Sequence, residues 1–136
     1  MQGRLVIDVE ALVTQWLTSR LDEVRVVAEL PAAFEQALPV VQVTCLPGPK
    51  DARPWNGDLP LLWSPRVDLD AYAATRAEAF DLASLVSGHL HALRGSGNAW
   101  GHVAHVAEVS GPAWRPDFNS NVRRAGLTAA LTVRAI

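Results

Sequence analysis

The chain has 136 residues, a length that suits one domain, 1–136, with a single core. Its hydrophobic content of 49% is typical of a globular protein, and no apolar run approaches the roughly 20 residues that cross a bilayer, so we predict no membrane span. The net charge is −2, with one lysine among 12 basic residues, which argues against sequence-specific DNA binding because such proteins carry dense basic surfaces.

The first predicted element is a helix over residues 8–21. Asp8 is a suitable N-cap, and Glu10 lies in the positive first turn. The same two acids interrupt any apolar stretch of the kind that a secretion signal needs, so we expect no secretion. One apolar stripe at helical spacing is formed by Val9, Leu12, Val13, Trp16, Leu17 and Leu21.

Two short β-branched segments follow this helix. Residues 24–30 and 40–46 are each bounded by proline, and both are predicted to be strands. The intervening segment, 32–38, suits either a helical turn or an irregular crossing. Cys45 has no partner for an internal disulfide, and its place in the second strand predicts a small buried hydrophobe.

A proline-rich loop is predicted over residues 47–65. It holds five of the nine prolines, so neither a helix nor a central strand persists there. Long loops inside compact domains are usually functional, and Trp55 is therefore predicted to anchor a partner. Trp63 suits the same role, or alternatively packs the loop onto the core.

Three further elements are predicted in the middle of the chain. Residues 66–70 alternate charged and apolar side chains, which predicts a strand with Asp68 and Asp70 pointing away from the core. Apolar residues three and four positions apart predict a helix over 72–93. Residues 99–109 are rich in valine but lack clean alternation, which predicts a bulged strand.

The segment 110–122 is predicted to be a turn-rich interaction loop, because it is rich in glycine, proline, aspartate and asparagine. An alternating strand follows from Leu127. After position 113 the chain has four arginines and one aspartate, so this end is positive and the remainder negative, a pattern that suits head-to-tail self-association. Arginines beside a strand equally suit a solvated rim. The predicted interaction residues are Trp55, Trp114, Arg115, Asp117, Asn119, Asn121, Arg123 and Arg124.

No catalytic constellation is found in the sequence. His89 and His91 diverge by roughly 200° on the predicted helix, and His102 and His105 lie on opposite faces of the predicted strand. The spacing of a structural zinc site is missing. The glycine-rich segment 94–102 follows a helix, whereas a phosphate-binding loop precedes one. We therefore predict no catalytic, cofactor-binding or metal site, and no enzyme activity.

The predicted order of elements is helix, two strands, long loop, strand, helix and two strands. This order predicts an α+β fold with a mixed or antiparallel sheet of about four to five strands, packed by two long helices. The proline-rich loop at 47–65 and the interaction loop at 110–122 would both extend from this one domain.

The chain resembles a family in its overall arrangement. The opening helix with Trp16, the strand in LPVVQV, the helix entered through DLDAYAATRAEAFDLA, and the segment GPAWRPDFNSNVRR before an Ala/Thr/Leu strand occur in the order typical of that family. They resemble the tail terminator proteins of long-tailed, siphovirus-type phages, particularly those of actinobacterial phages. The resemblance covers nearly the whole chain, although each piece alone is weakly specific.

The resemblance implies a virion structural protein that forms a ring, hexameric in that family, on the last layer of the tail tube. Such a ring ends tube polymerisation and joins the tail to the head. The implied partners are further copies of the chain, the major tail tube protein and neck or connector proteins, while DNA passes through the channel without sequence-specific binding. The implied location is the virion neck, after assembly in the host cytoplasm.

Two alternatives remain open from the sequence. A head-to-tail connector or neck completion protein of the same virion has a similar size and class, and differs in the neighbour that it contacts. A small ligand-binding domain or enzyme would require a deep pocket in which His102 or His105 meets a carboxylate.

Overall fold

The computed structural model describes residues 7–46, 50–52 and 62–134, and in this part of the chain it shows two α-helices and eight strands. The helices are α1, Val9–Arg20, and α2, Arg76–His91, and a 3-10 turn spans Phe34–Gln36. The strands are β1 Arg25–Val27, β2 Val40–Leu46, β3 Lys50–Ala52, β4 Leu62–Trp63, β5 Arg66–Ala73, β6 Ser96–Asn98, β7 Gly101–Trp114 and β8 Arg123–Arg134.

All eight strands belong to one mixed sheet. Six of them follow the order β1-β2-β5-β8-β4-β3, while β7 pairs with the other side of β8 and with the short β6. Strand β1 runs parallel to β2, and the remaining pairs are antiparallel. The long β7–β8 hairpin is therefore the largest single unit of the fold, and the loop between its strands lies at one end of the sheet.

Both helices begin at side-chain caps. The Asp8 carboxylate accepts a hydrogen bond from the Ala11 amide at 3.0 Å, and Thr75 Oγ1 accepts one from the Glu78 amide at 3.2 Å. The predicted helix over 8–21 is thus confirmed. The indole nitrogen of Trp16 donates to the His89 carbonyl oxygen at 2.8 Å, which ties α1 to α2.

The main core lies between the two helices and one face of the sheet. Alternate residues of the central strands point into it, as the period of a strand requires. Its best-buried members are Leu12, Val13, Leu17, Val41, Val43, Val67, Leu69, Leu90, Leu93, Leu127 and Leu131. The opposite face of β5 and β8 carries Asp68, Asp70, Arg124 and Thr128, so helices cover one face only and the other face is largely polar.

A second, smaller apolar cluster lies on the polar face of the sheet. Its buried members are Val40, Tyr72 and Val122, and Phe34 packs against them with its ring 5.0 Å from that of Tyr72. Val122 precedes β8 directly, so this cluster holds one end of the β7–β8 loop against the sheet.

The predicted fold class is wrong. The sheet has eight strands instead of four to five, and strand residues outnumber helical residues, so the protein is mostly β. Strands β3, β4 and β6 have only two or three residues each, too few to show a periodicity in the sequence. Two of them, β3 and β4, lie within the predicted proline-rich loop at 47–65, and β3 is at the edge of the sheet, where prolines nearby in the sequence are tolerated.

Several predicted boundaries also require correction. Strand β1 covers Arg25–Val27 instead of residues 24–30, and β8 begins at Arg123 instead of Leu127. Helix α2 begins at Arg76 instead of residue 72, because residues up to Ala73 continue β5 and Thr75 caps the helix. Strand β7 does not end before Gly111 and Pro112 but continues to Trp114. A register shift between Ser110 and Ala113 accommodates the proline, and β7 is an edge strand there.

Candidate functional site

The loop between β7 and β8 spans residues 115–122, and we refer to it as the hairpin loop. The sequence predicted an interaction loop over 110–122, and the structure assigns the first five of those residues to β7. The hairpin loop begins with a backbone bond from the Arg115 amide to the Arg124 carbonyl oxygen at 2.9 Å. Its two ends therefore lie side by side.

Four charged side chains form a network on the polar face of the sheet beneath this loop. Arg115 Nη1 donates to Asp68 Oδ1 and to Asp70 Oδ1, at 2.9 Å each. Arg124 Nε donates to the same Asp70 oxygen at 3.0 Å. Asp70 is only 4% exposed, and both arginines pair with its carboxylate in this buried position. The network fastens the loop to the centre of the sheet.

Thr128 completes the polar network on β8. Its hydroxyl donates to Asp68 Oδ1 at 2.7 Å, and Arg115 Nη2 donates to the Thr128 oxygen at 3.3 Å. The register explains these contacts, because Thr128 lies directly opposite Asp68 in the β5–β8 ladder. Strands β5 and β8 therefore supply the base of the network, and Arg115 lies across it.

Gly126 makes room for the Arg115 guanidinium. A β-carbon at position 126 would lie 2.6 Å from Asp70 Oδ1, 2.7 Å from Arg115 Nη1 and 2.7 Å from the Leu69 carbonyl oxygen. Gly126 is opposite Asp70 in the β5–β8 ladder, so any larger side chain would occupy the space between the two ion-paired groups. The glycine is needed here for close approach.

The electrostatics of the network keep its arginines charged. Burial alone would lower the pKa of Arg115, but its hydrogen bonds to Asp68 and Asp70 and their negative charges together raise that pKa above its ordinary value. The pKa of Arg124 is also raised, since the bond to and charge of Asp70 outweigh the effect of burial. Burial raises the pKa of neighbouring Tyr72 to about 12.

The tip of the hairpin loop is ordered by its own side chains. Asp117 Oδ2 accepts from the Asn119 amide at 3.1 Å, and Asn119 Oδ1 accepts from the Asn121 amide at 2.9 Å. These are the side-chain turns expected of such residues. Asp117 also lies 3.7 Å from Arg124 Nη1, which links the tip to the network below.

Phe118 projects from this ordered tip. Its exposed fraction of 108% exceeds that of any other exposed large hydrophobic residue in the described part of the chain. The sequence interpretation omitted Phe118, although a lone aromatic residue among proline, aspartate and asparagine is a visible signal. An aromatic side chain that a hydrogen-bonded loop holds in water is typical of an interaction anchor.

A shallow apolar pocket lies on the helical face of the protein. It is lined by Arg76, Ala77, Phe80 and Asp81 from the first half of α2. The Arg76 guanidinium also lies over the Trp114 ring, 5.4 Å from its centroid. The pocket is thus at the same end of the sheet as the hairpin loop, but on the face that the helices cover.

The structure brings most of the predicted interaction residues into one region. Arg115, Asp117, Asn119 and Arg124 are joined by the bonds described above, and Trp114, Asn121 and Arg123 are exposed beside them. Arg123 Nη1 donates to the carbonyl oxygens of Ser120 and Val122, at 3.0 and 3.1 Å. Trp55 lies outside the described residues. Trp63 is half-buried and packs against the main core, as the alternative interpretation of that residue expects.

Other titratable groups do not converge on a site. Within residues 7–46, 50–52 and 62–134, no group of three or more His, Cys, Asp or Glu side chains is placed to hold a metal ion. Cys45 is half-buried, and burial together with the charges of Glu10 and Asp8 raises the pKa of its thiol. No helix in the same part of the chain combines the length and the apolar character needed to cross a membrane.

Comparison with known proteins identifies a structural relative. No protein-family model and no curated protein matches the sequence. Among solved structures, the chain is similar to one in a structure described as the virion of a native gene transfer agent (GTA) particle. The TM-score is 0.59 at 17% sequence identity, and the alignment covers 93% of this chain and 94% of the other. The two chains therefore share a fold along almost their whole lengths.

Proposed function

We propose that this chain is a virion structural protein of the tail terminator type. In this proposal, copies of the chain form a ring, a hexamer as the family resemblance implies, on the last layer of the tail tube. The ring ends tube growth and provides the surface that joins the tail to the head. Each copy contributes one tail-terminator-like domain, located at the neck of the virion after assembly in the host cytoplasm.

The observation that carries this proposal is the fold shared with a chain of the GTA virion along more than nine-tenths of each molecule. The sequence resemblance to tail terminators rests on residues of this chain alone, so it supports the proposal separately. Both point to a protein that works by packing against other subunits.

The ordered structure of the hairpin loop supports the same function. Its ends are tied by Arg115 and Val122, and its tip is ordered by the side chains of Asp117 and Asn119. A loop that is already ordered loses little conformational entropy when it binds, so more of the contact energy remains for assembly. We propose that this loop forms subunit contacts in the ring.

The proposed function is tested by producing the chain together with the major tail tube protein encoded in the same genome. We expect negative-stain electron microscopy to show rings at one end of the tubes, and tubes that are shorter than those formed without the chain. Bare tube ends and an unchanged length distribution would contradict tail termination. Rings bound at the capsid portal in assembling particles, with none on tubes, would instead support the head-completion alternative.

A further inference from the structure

We propose that Phe118 of one copy inserts into the α2 pocket of a second copy. This inference rests on the proposed ring, and it names the contact that builds it. The projecting side chain is Phe118, the most exposed large hydrophobic residue in the described part of the chain. The receiving surface is the pocket lined by Arg76, Ala77, Phe80 and Asp81, where the Phe80 ring is itself 45% exposed.

The two features cannot satisfy each other within one molecule. The hairpin loop is held to the polar face of the sheet by Arg115 and Arg124, whereas α2 covers the opposite face. Moving Phe118 to its own pocket would break the ion pairs to Asp70. We refer to the projecting Phe118 side chain as the knob. A knob and a pocket on different faces of one chain form a heterologous contact between copies, and such contacts close into a ring when the rotation from one copy to the next permits it.

Charge complementarity favours a second copy as the occupant. Within the residues that the structure describes, neither Arg123, whose side chain bonds to the Ser120 carbonyl oxygen of the hairpin loop, nor Asp81 of the pocket has an ion-pair partner. Arg76, the other charged residue of the pocket, lies over the Trp114 ring of its own chain, so Asp81 is the pocket charge that we expect to meet Arg123. Knob and pocket therefore offer groups of opposite sign beside two apolar surfaces. Burying aromatic side chains with a flanking ion pair is typical of the central part of a protein interface.

The test compares three single variants of the full chain by sedimentation velocity and native mass spectrometry. Phe118→Ser removes the knob, Phe80→Ser removes the pocket wall, and Leu85→Ser is the matched control, since Leu85 is 51% exposed on α2 but does not line the pocket. We expect the first two variants to weaken self-association at least about tenfold, and the control to assemble like the wild type.

A mixture of two variants tests the geometry directly. The Phe118→Ser chain keeps its pocket and the Phe80→Ser chain keeps its knob, so an equimolar mixture has one intact contact per pair. At a concentration at which each variant alone is monomeric, we expect the mixture to form dimers that do not close into rings.

Three results would overturn the inference. Rings formed by the Phe118→Ser chain with unchanged stability would show that the ring uses another contact, and would leave the proposed function intact. Loss of rings in Leu85→Ser to the same degree as in Phe80→Ser would show that the pocket is not specific. A wild-type chain that stays monomeric at its highest soluble concentration, and leaves tail tubes uncapped, would overturn both this contact and the ring.

Discussion

Arg115 and Asp70 form a hydrogen-bonded ion pair, with 2.9 Å between Nη1 and Oδ1, across the polar face of the sheet. Asp70 lies in the middle of the sheet on β5, and Arg115 is the first residue of the hairpin loop. Together with the bond from Arg115 to Asp68 and the bond from Arg124 to Asp70, this contact holds the start of the hairpin loop against the sheet. Buried ion pairs contribute little net stability compared with apolar replacements, so we expect this pair chiefly to restrict the loop to one position.

The first prediction concerns the loss of this pairing. Asp70→Asn leaves Arg115 and Arg124 without their shared carboxylate in a largely buried position, so we expect the free energy of unfolding to fall by about 3 kcal/mol. Denaturant unfolding measures the change. Asp22→Asn, at an exposed aspartate, serves as the control and should change stability by less than about 0.5 kcal/mol. Equal losses in the two variants would contradict the role of Asp70.

The second prediction concerns the close approach at Gly126. Gly126→Ala places a β-carbon 2.7 Å from the Leu69 carbonyl oxygen, a backbone atom that cannot rotate away. We expect a loss of about 1 to 3 kcal/mol in the free energy of unfolding, as for other overpacked positions. Gly88→Ala is the matched control, because nothing beyond the adjacent helix backbone lies within 4 Å of the added carbon and alanine favours a helix by about 1 kcal/mol. Stabilisation by both substitutions would contradict this account.

The third prediction is a dependence of stability on alkaline pH. Burial raises the pKa of Tyr72 to about 12, above its value of about 10 in the unfolded chain. The folded state thus holds this proton more tightly, so the stabilisation is complete below pH 10 and is lost as the pH rises from 10 to 12. A difference of this size corresponds to a loss of about 2 to 3 kcal/mol. In Tyr72→Phe this loss between pH 10 and 12 should be absent.

Tyr72 is the only tyrosine in the chain, so tyrosinate absorbance reports on it alone. We expect the folded protein to titrate near pH 12 and the urea-unfolded chain near pH 10. Titration of both forms at the same pH would contradict burial of the hydroxyl. The Tyr72→Phe chain, which lacks this signal, is the control for any change in tryptophan absorbance.

The sequence predicted the local elements better than their assembly. The apolar stripe of α1, its cap at Asp8 and the alternation that places Asp68 and Asp70 on the polar face all follow from rules that act over a few residues. The size of the sheet did not, because β3, β4 and β6 are too short to show a periodicity, and β4 joins the sheet by pairing with the distant β8. The limits of β5 and α2 were misplaced because Ala71 and Ala73 favour a helix locally, whereas pairing with β8 keeps both in β5.

In the predicted interaction region, the sequence likewise predicted the local structure but not the long-range contacts. Composition alone located the hairpin loop, since aspartate and asparagine form local side-chain turns. It did not show that Arg115 and Arg124 are bound to Asp70, which is 45 and 54 positions away along the chain. Such pairing depends on the register between β5, β8 and β7, which no short pattern encodes. The sequence suggests that these two arginines are available to a partner. In the structure, both form ion pairs within the molecule.

The fourth prediction separates folding from assembly at Arg123. This side chain is exposed and donates only to loop carbonyl oxygens among the described residues, so Arg123→Glu should change the free energy of unfolding by less than about 0.5 kcal/mol. If Arg123 faces Asp81 of a neighbouring copy, the substitution places two negative charges together and should abolish ring formation. Native mass spectrometry measures the ring population, and circular dichroism confirms the folded monomer.

Arg94→Glu, at an exposed arginine beyond the other end of α2, is the control and should leave assembly unchanged. Asp81→Arg combined with Arg123→Glu restores opposite charges across the contact and should recover rings, whereas intact rings in Arg123→Glu alone would refute a role for this arginine.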